Sequence, residues 1–221
     1  MIELKNISKI YRIRNNYKVV LSDFNFTFSN SKNYAVMGPN GIGKTTLLGL
    51  ISGAIPPTKG KILRRGKVSW PIGFAKSFNK NMTGIENIKF VARIYDKNPQ
   101  EIIEYVREFS ELGDALKSPV DTYSSGMRAR LSFGICLAID FQHYIIDEVV
   151  AVGDKSFRAK SRAAFKRKIK DASVILASHS TDIVTEYCDC GILIGRKKIK
   201  YFDCINSLTN AYNEQFNVQK T

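Results

Sequence analysis

An α/β fold with a mostly parallel central sheet is the architecture this sequence predicts, on three observations. Four short apolar runs, at 33–37, 143–147, 173–177 and 191–195, are nearly continuous rather than alternating, as strands covered on both faces are. Helical patterns lie between them, which is the order of a parallel sheet. The first run also leads directly into a glycine-rich segment that opens a helical pattern, a strand–loop–helix unit.

Along the chain, the first ~30 residues alternate more evenly, as in Phe24-Asn25-Phe26-Thr27-Phe28, so an antiparallel β layer attached to the main sheet is expected there. The middle reads as helical. Thr83 with Glu86 makes a capping box ahead of Ile85, Ile88, Val91, Ala92 and Tyr95 at helical spacing. Asn98-Pro99 starts a second helix with proline at its first position. Ile102, Ile103, Val106, Phe109 and Leu112 form its apolar face, and Gly113 is its expected stop. The predicted organisation is one domain over 1–221: an α/β core with its β layer from 1–79 and 139–204, a helical subdomain over 80–138, and a short tail at 205–221.

Composition narrows the classes of function. Of 221 residues, 44% are apolar and 24% charged, ordinary globular usage that excludes collagen and wholesale disorder. The longest apolar-leaning run, 131–141, is broken by Asp140 and is too short to span a bilayer. The N-terminus lacks the basic-then-apolar build of a secretory signal, so a soluble, unexported chain is expected. Cys136, Cys188, Cys190 and Cys204 have no zinc-ligand spacing, and His143 and His179 are the two histidines. Lys and Arg total 34 against 20 acids, a net +14. Such an excess favours polyanionic neighbours without choosing among them.

The chemistry concentrates in three segments. Gly38-Pro39-Asn40-Gly41-Ile42-Gly43-Lys44-Thr45 fits G-x-x-x-x-G-K-[ST] in full. Glycines let backbone N–H groups turn inward around phosphate oxygens, and the helix start adds a favourable partial charge. Lys44 would reach the outer phosphates and the Thr45 hydroxyl would ligate Mg²⁺. Tyr144-Ile145-Ile146-Asp147-Glu148 is a buried strand ending in two carboxylates, at the sheet end where such folds bind ligands. Asp147 can hold Mg²⁺ and Glu148 can polarise an attacking water. Tyr123-Ser124-Ser125-Gly126-Met127 precedes a helical run, and its hydroxyls and N–H groups suit a terminal phosphate; alone, it also reads as an ordinary helix cap.

Together these pieces resemble the ATP-binding cassette family over essentially the whole chain, and the fold so implied is a P-loop NTPase cassette. The resemblance implies that ATP is bound by Tyr11, stacking on adenine, by Gly38, Pro39, Asn40, Gly41, Ile42, Gly43, Lys44, Thr45 and Thr46, and by Ser124, Ser125 and Gly126. It implies Thr45 and Asp147 at Mg²⁺, and Glu148 and His179 as catalytic residues. Ala151-Val152-Gly153-Asp154 fits the family's D-loop.

Trp70-Pro71-Ile72-Gly73-Phe74, Met82-Thr83-Gly84-Ile85-Glu86-Asn87, Thr122-Tyr123-Ser124-Ser125-Gly126-Met127, and Asp147-Glu148-Val149 followed by Val152-Gly153-Asp154 look like the ATPase subunits of capsular polysaccharide exporters. O-antigen and teichoic-acid exporters are near relatives. The resemblance implies a homodimer, a separate integral membrane permease, and a peripheral place on the cytoplasmic face of the inner membrane. A nucleic-acid-associated cassette is the rival that the charge would suit, but such relatives usually carry two cassettes or a coiled-coil insert, so no nucleic acid is expected.

Two departures stand out. No glutamine lies between Gly53 and Pro99, leaving Asn79 as the substitute in the glutamine loop. Ser125 and Met127 replace the usual Gly and Gln of the signature. Finally, 155–170 holds eight basic residues and no acid: Lys155, Arg158, Lys160, Arg162, Lys166, Arg167, Lys168 and Lys170. With Phe157, Ala164, Phe165 and Ile169 at near-helical spacing, it reads as a docked helix whose charged face meets either solvent or the anionic leaflet.

Overall fold

The structure, a computed structural model, describes residues 1–72, 78–148, 154–195 and 198–216. The chain groups into two compact units. In the first, β5 (His143–Asp147), β6 (Ser173–Ala177), β3 (Tyr34–Met37), β7 (Cys190–Ile194) and β8 (Ile199–Phe202) lie side by side in that order, numbered by chain position. Pairs β5–β6, β6–β3 and β3–β7 are parallel, and β8 closes the edge antiparallel to β7. The four predicted runs are thus all strands. Every residue of β3, β6 and β7 is buried, as is β5 up to Asp147, which is why those runs carry no alternation.

The register of this sheet places the site. Val36 pairs with Ala177, and Ala177 pairs with Asp147. The carboxyl ends of β3, β5 and β6 are therefore level, and Gly38, Glu148 and Ser178 leave the sheet from one edge.

The N-terminal layer is a separate three-stranded antiparallel sheet, ordered β2 (Asn16–Phe28), β1 (Ile2–Ile13), β4 (Lys59–Arg64). Its third strand is one that the sequence pattern misses, because Lys59, Gly60 and Lys61 read as a turn. Gly60 makes the pairing fit: at φ 88° a Cβ there would meet the Asn6 and Lys5 carbonyl oxygens at 2.3 and 2.4 Å, closer than any side chain tolerates. Ile2, Leu4 and Ile7 pack with Phe28, Tyr34, Val36, Leu47, Leu48 and Ile175 in one core, each large buried side chain contributing ~1.5–3 kcal/mol. Phe28 meets Tyr34 and Phe26 edge-on, the favoured geometry for aromatic pairs.

After the short α6 (Thr181–Tyr187), residues 205–216, expected as a tail, form a helix, α7 (Ile205–Phe216), which buries Ile205, Leu208 and Tyr212 and packs on β7 and β8.

The second unit is helical: Ile72–Asp140 together with α5 (Lys155–Lys168). Its other helices are α2 (Gly84–Ile94), α3 (Pro99–Ser110) and α4 (Ser125–Ala138). The capping box forms as read, with the Thr83 hydroxyl accepting from Glu86 N–H and the Glu86 carboxylate accepting from Thr83 N–H. Asn98 caps α3, accepting from Gln100 N–H. That helix ends before Gly113, the expected stop: Glu111 takes the left-handed conformation (φ 57°) instead, and Leu112 lies beyond the helix. Helix α5, which the sequence reading placed in the core segment 139–204, groups with these helices through aromatic contacts. Phe157 meets Phe109 edge-on and Phe165 lies against Phe133.

One buried polar group ties the sheet edge together and carries a pH dependence. His143, wholly buried at the start of β5, bonds through Nδ1 to the Ser173 hydroxyl, and its Nε2 lies 2.9 Å from the Met1 amine. Burial, and secondarily that amine, pushes the imidazole down to about 4. The unfolded chain takes up this proton near 6.5 and the folded one does not, so stability is full above pH 6.5 and falls as the pH drops towards 4. The loss attributable to His143 should reach about 3 kcal/mol. Urea midpoints between pH 7.5 and 4.5 should converge for His143→Gln relative to the parent; identical slopes would refute the assignment.

Candidate functional site

The phosphate-type loop joins β3 to α1 (Lys44–Ser52). No side chain caps this helix; Gly43 occupies the position before it, at φ 120°. Val20 of β2 lies against that glycine, and a Cβ there would sit 2.3 Å from Val20 Cγ1. Two independent demands, a left-handed backbone and a close neighbour, therefore require glycine at 43. Lys44 is only 6% exposed, and its ammonium donates to the Gly38 carbonyl (2.7 Å) and the Pro39 carbonyl (3.2 Å). It thereby wraps the loop around itself. Burial lowers its pKa, opposed by the charges of Glu148 and Asp147.

Those two carboxylates emerge where the register puts them. The Thr45 hydroxyl, on the first turn of α1, favours the charged form of Asp147 at the end of β5. Burial raises the pKa of Asp147, the neighbouring Glu148 charge adds to that, and Thr45 and Lys44 oppose it. Glu148 is one of the few non-glycine residues with positive φ, 64°, a conformation costing ~1–2 kcal/mol. Its N–H donates to the Ala177 carbonyl (2.8 Å), continuing the β5–β6 ladder, while Oε1 lies 2.8 Å from His179 Nδ1. Both side chains remain about half exposed. Ser178 beneath them is buried, and its hydroxyl accepts from Ser180 N–H. One edge thus presents a buried ammonium, a hydroxyl–carboxylate pair and an open glutamate–histidine pair.

Tyr11 lies on β1 directly across the ladder from Lys18. The Lys9 ammonium sits 4.9 Å over its ring. Lys18 donates to the Gly41 carbonyl at 3.5 Å, so the β1–β2 hairpin reaches the phosphate loop through Lys18 and Val20. No motif signals Lys18; only the cross-strand register opposite Tyr11 reveals it.

In the helical unit, Ser124 caps α4 by accepting from Met127 N–H (3.2 Å), and Ser125 and Gly126 form its first turn. The Asn79 side chain accepts from Asn81 N–H, and its backbone is held by the buried amide of Asn87. It serves a local turn. Gly73 and Phe74, and Val149 with the D-loop residues Ala151, Val152 and Gly153, lie outside the described residues. Asp154 is described: one oxygen caps α5 at Phe157 N–H (3.0 Å) and the other pairs with Arg130 of α4 (2.6 Å). On the basic face of α5, Lys160 pairs with Glu111 and Lys168 with Asp140, so acids from outside the helix neutralise part of its charge. No group of three His, Cys, Asp or Glu side chains among the described residues forms a metal cluster.

The family model for ABC transporters matches residues 21–151. The chain belongs to the ABC transporter family. This ABC cassette is 41% identical to the ATP-binding protein BexA of Haemophilus influenzae over 97% of its own length and 99% of that protein's. It is 40% identical to the capsule polysaccharide export ATP-binding protein CtrD of Neisseria meningitidis, over 96% and 99%. Its fold superposes on the dimeric ATP-binding cassette MJ0796 bound to ADP and Pi, with TM-score 0.74 at 18% identity, covering 91% of this chain and 98% of the other. As a member of the family, the chain is an ATP-binding, ATP-hydrolysing transporter subunit.

The two demands on Gly43 can be separated. Gly43→Ala should cost about 3 kcal/mol, from left-handed strain plus overpacking, and should abolish ATP binding. Adding Val20→Ala should recover only the packing part. Gly41→Ala, whose Cβ meets nothing within 4 Å at φ 74°, should cost ~1 kcal/mol. Denaturant titrations of the four chains measure this; a neutral Gly43→Ala would contradict the packing.

Proposed function

We propose that this chain is the ATPase subunit of an exporter that moves a capsule-type polysaccharide across the inner membrane. The observation that carries the reading is the end-to-end similarity to capsule exporters. A third relative, the polysialic acid transport ATP-binding protein KpsT of Escherichia coli, is 42% identical over 96% of both chains. O-antigen and teichoic-acid export proteins match at 33–34%, so the capsule-type cargo is favoured. The two compact units then act as one nucleotide-binding domain.

In this reading, the loop from Gly38 to Thr46 cradles the ATP phosphates, and Lys44 exchanges its carbonyl partners for phosphate oxygens. Tyr11 stacks on the adenine. Thr45 and Asp147 supply two hard oxygen donors that fit Mg²⁺, which when bound neutralises charge on the outer phosphates. Glu148 orients a water for in-line attack on the γ-phosphorus and accepts its proton, while the bond to the β-phosphate oxygen breaks and ADP leaves. His179, already against Glu148, holds the carboxylate and contacts the γ-phosphate. Ser124, Ser125 and Gly126 bind the phosphate of a nucleotide held by a second copy, a reading supported by the dimeric state of the cassette MJ0796.

No helix among the described residues is long and apolar enough to cross a membrane. A separate permease supplies the path, and the cassette sits peripherally at the cytoplasmic face, with the basic helix α5 turned to anionic lipid. Nucleic acid has no role in this reading.

Lys44→Ala should weaken ATP binding, whereas Glu148→Gln should keep binding and lose at least ~100-fold in hydrolysis. Cells carrying Glu148→Gln should accumulate the glycan inside and lose it from the surface. Ordinary turnover by Glu148→Gln, or intact surface glycan, would overturn the reading. For the shared site, Glu148→Gln chains with ATP should run as dimers by size exclusion and light scattering. Adding Ser125→Arg should leave monomers that still bind ATP; dimers that survive it would refute the role of the second copy.

A further inference from the structure

A cation set against a phosphate-binding loop with no acidic partner among the described residues calls for an explanation, and Lys18 of β2 is one. Lys18 and Val20, two residues apart on β2 beside a break in its register with β1, both meet the phosphate loop. Val20 packs against Gly43 and Lys18 donates to the Gly41 carbonyl. Lys18 makes no ion pair among the described residues and is exposed. Its contact with a neutral carbonyl, at 3.5 Å, is at the outer limit of a hydrogen bond. A charge-assisted bond to a phosphate oxygen is shorter and about twice as strong.

The charges already at the site favour the same exchange. Lys44 stands against both Asp147 and Glu148, so one cation serves two carboxylates before a polyphosphate arrives. A second cation, at the Gly41 carbonyl of the same loop, reduces the repulsion that polyphosphate would meet.

We propose that Lys18 is a nucleotide-binding residue that reaches from the β1–β2 hairpin to the phosphates of ATP, working beside its cross-strand partner Tyr11. The inference rests on the nucleotide reading of the loop and deepens it. The hairpin then contributes two kinds of recognition from one ladder position, an aromatic ring for the base and a cation for the phosphates.

The experiment is equilibrium binding of ATP and, separately, adenosine to Glu148→Gln chains carrying Lys18→Gln, Lys18→Arg or no further change. Lys18→Gln should weaken ATP binding about tenfold, with the difference shrinking as salt rises from low ionic strength to ~0.5 M. Lys18→Arg should remain within about threefold, because it keeps the charge. Adenosine, which lacks phosphates, should bind both variants as it binds the parent. In chains with Glu148 intact, Lys18→Gln should raise KM for ATP and leave kcat at saturation unchanged. ATP affinity unchanged by Lys18→Gln would overturn the inference, as would an equal loss for adenosine, which would mean that the lysine merely supports Tyr11. If the parent bound no ATP, or Lys44→Ala bound it equally well, the reading of the loop itself would fall and take this inference with it.

Discussion

The parallel hydrogen-bond register of β3, β6 and β5 is the constraint from which the site follows. Because Val36, Ala177 and Asp147 share a row, three segments far apart in sequence leave the sheet at the same height. The ladder fixes their separation to one strand spacing each, about 4.8 Å, within reach of short side chains. The Glu148 N–H extends the ladder one residue beyond the strand by bonding to the Ala177 carbonyl. That bond pins the left-handed turn at Glu148 and directs its carboxylate to His179. An outlying backbone held by a ladder bond beside candidate catalytic side chains is the pattern in which local strain serves positioning.

The electrostatics around this edge are mutually dependent. Lys44 has little water around it, which disfavours its charge, and Asp147 is penalised likewise. Each stabilises the charged form of the other, so removing either partner would leave a buried Lys44 or a half-buried Asp147 poorly compensated. Hydrogen bonds from Lys44 to two loop carbonyls complete the arrangement, and the Thr45 hydroxyl favours the Asp147 charge. The edge is thereby held in place before any nucleotide is considered, and preorganised dipoles need no reorientation when charge arrives.

The helical unit is organised differently, around a ring cluster and one arginine. Phe109, Phe133, Phe157 and Phe165 join α3, α4 and α5. Arg130 lies 4.3 Å over Phe157 and pairs with Asp154 and Glu111. Asp154 uses both oxygens, one to cap α5 and one for Arg130, so the start of α5 is set against the helix that begins at Ser125. The same region tempers the charge read from 155–170, since Glu111 and Asp140 engage Lys160 and Lys168.

What the sequence by itself determined was whatever depends on near neighbours in the chain. The strand–loop–helix of the phosphate loop, the four buried runs, the Thr83 capping box and the Asn98-Pro99 start are all local, and each forms where its residues place it. What only the tertiary structure decided was pairing. Strand β4 exists because β1 offers it a partner and Gly60 allows close approach. Helix α7 forms where a tail was expected because β7 and β8 offer a surface to cover, and α5 joins the helical unit because Phe157 finds Phe109. The left-handed end of α3 falls at Glu111, two residues before the glycine, and the Glu111 carboxylate pairs with Lys160 and Arg130. Lys18 shows the limit most sharply. Its sequence neighbours carry no motif, and its place opposite Tyr11 and above Gly41 comes from hydrogen bonds between strands, which no local spacing encodes.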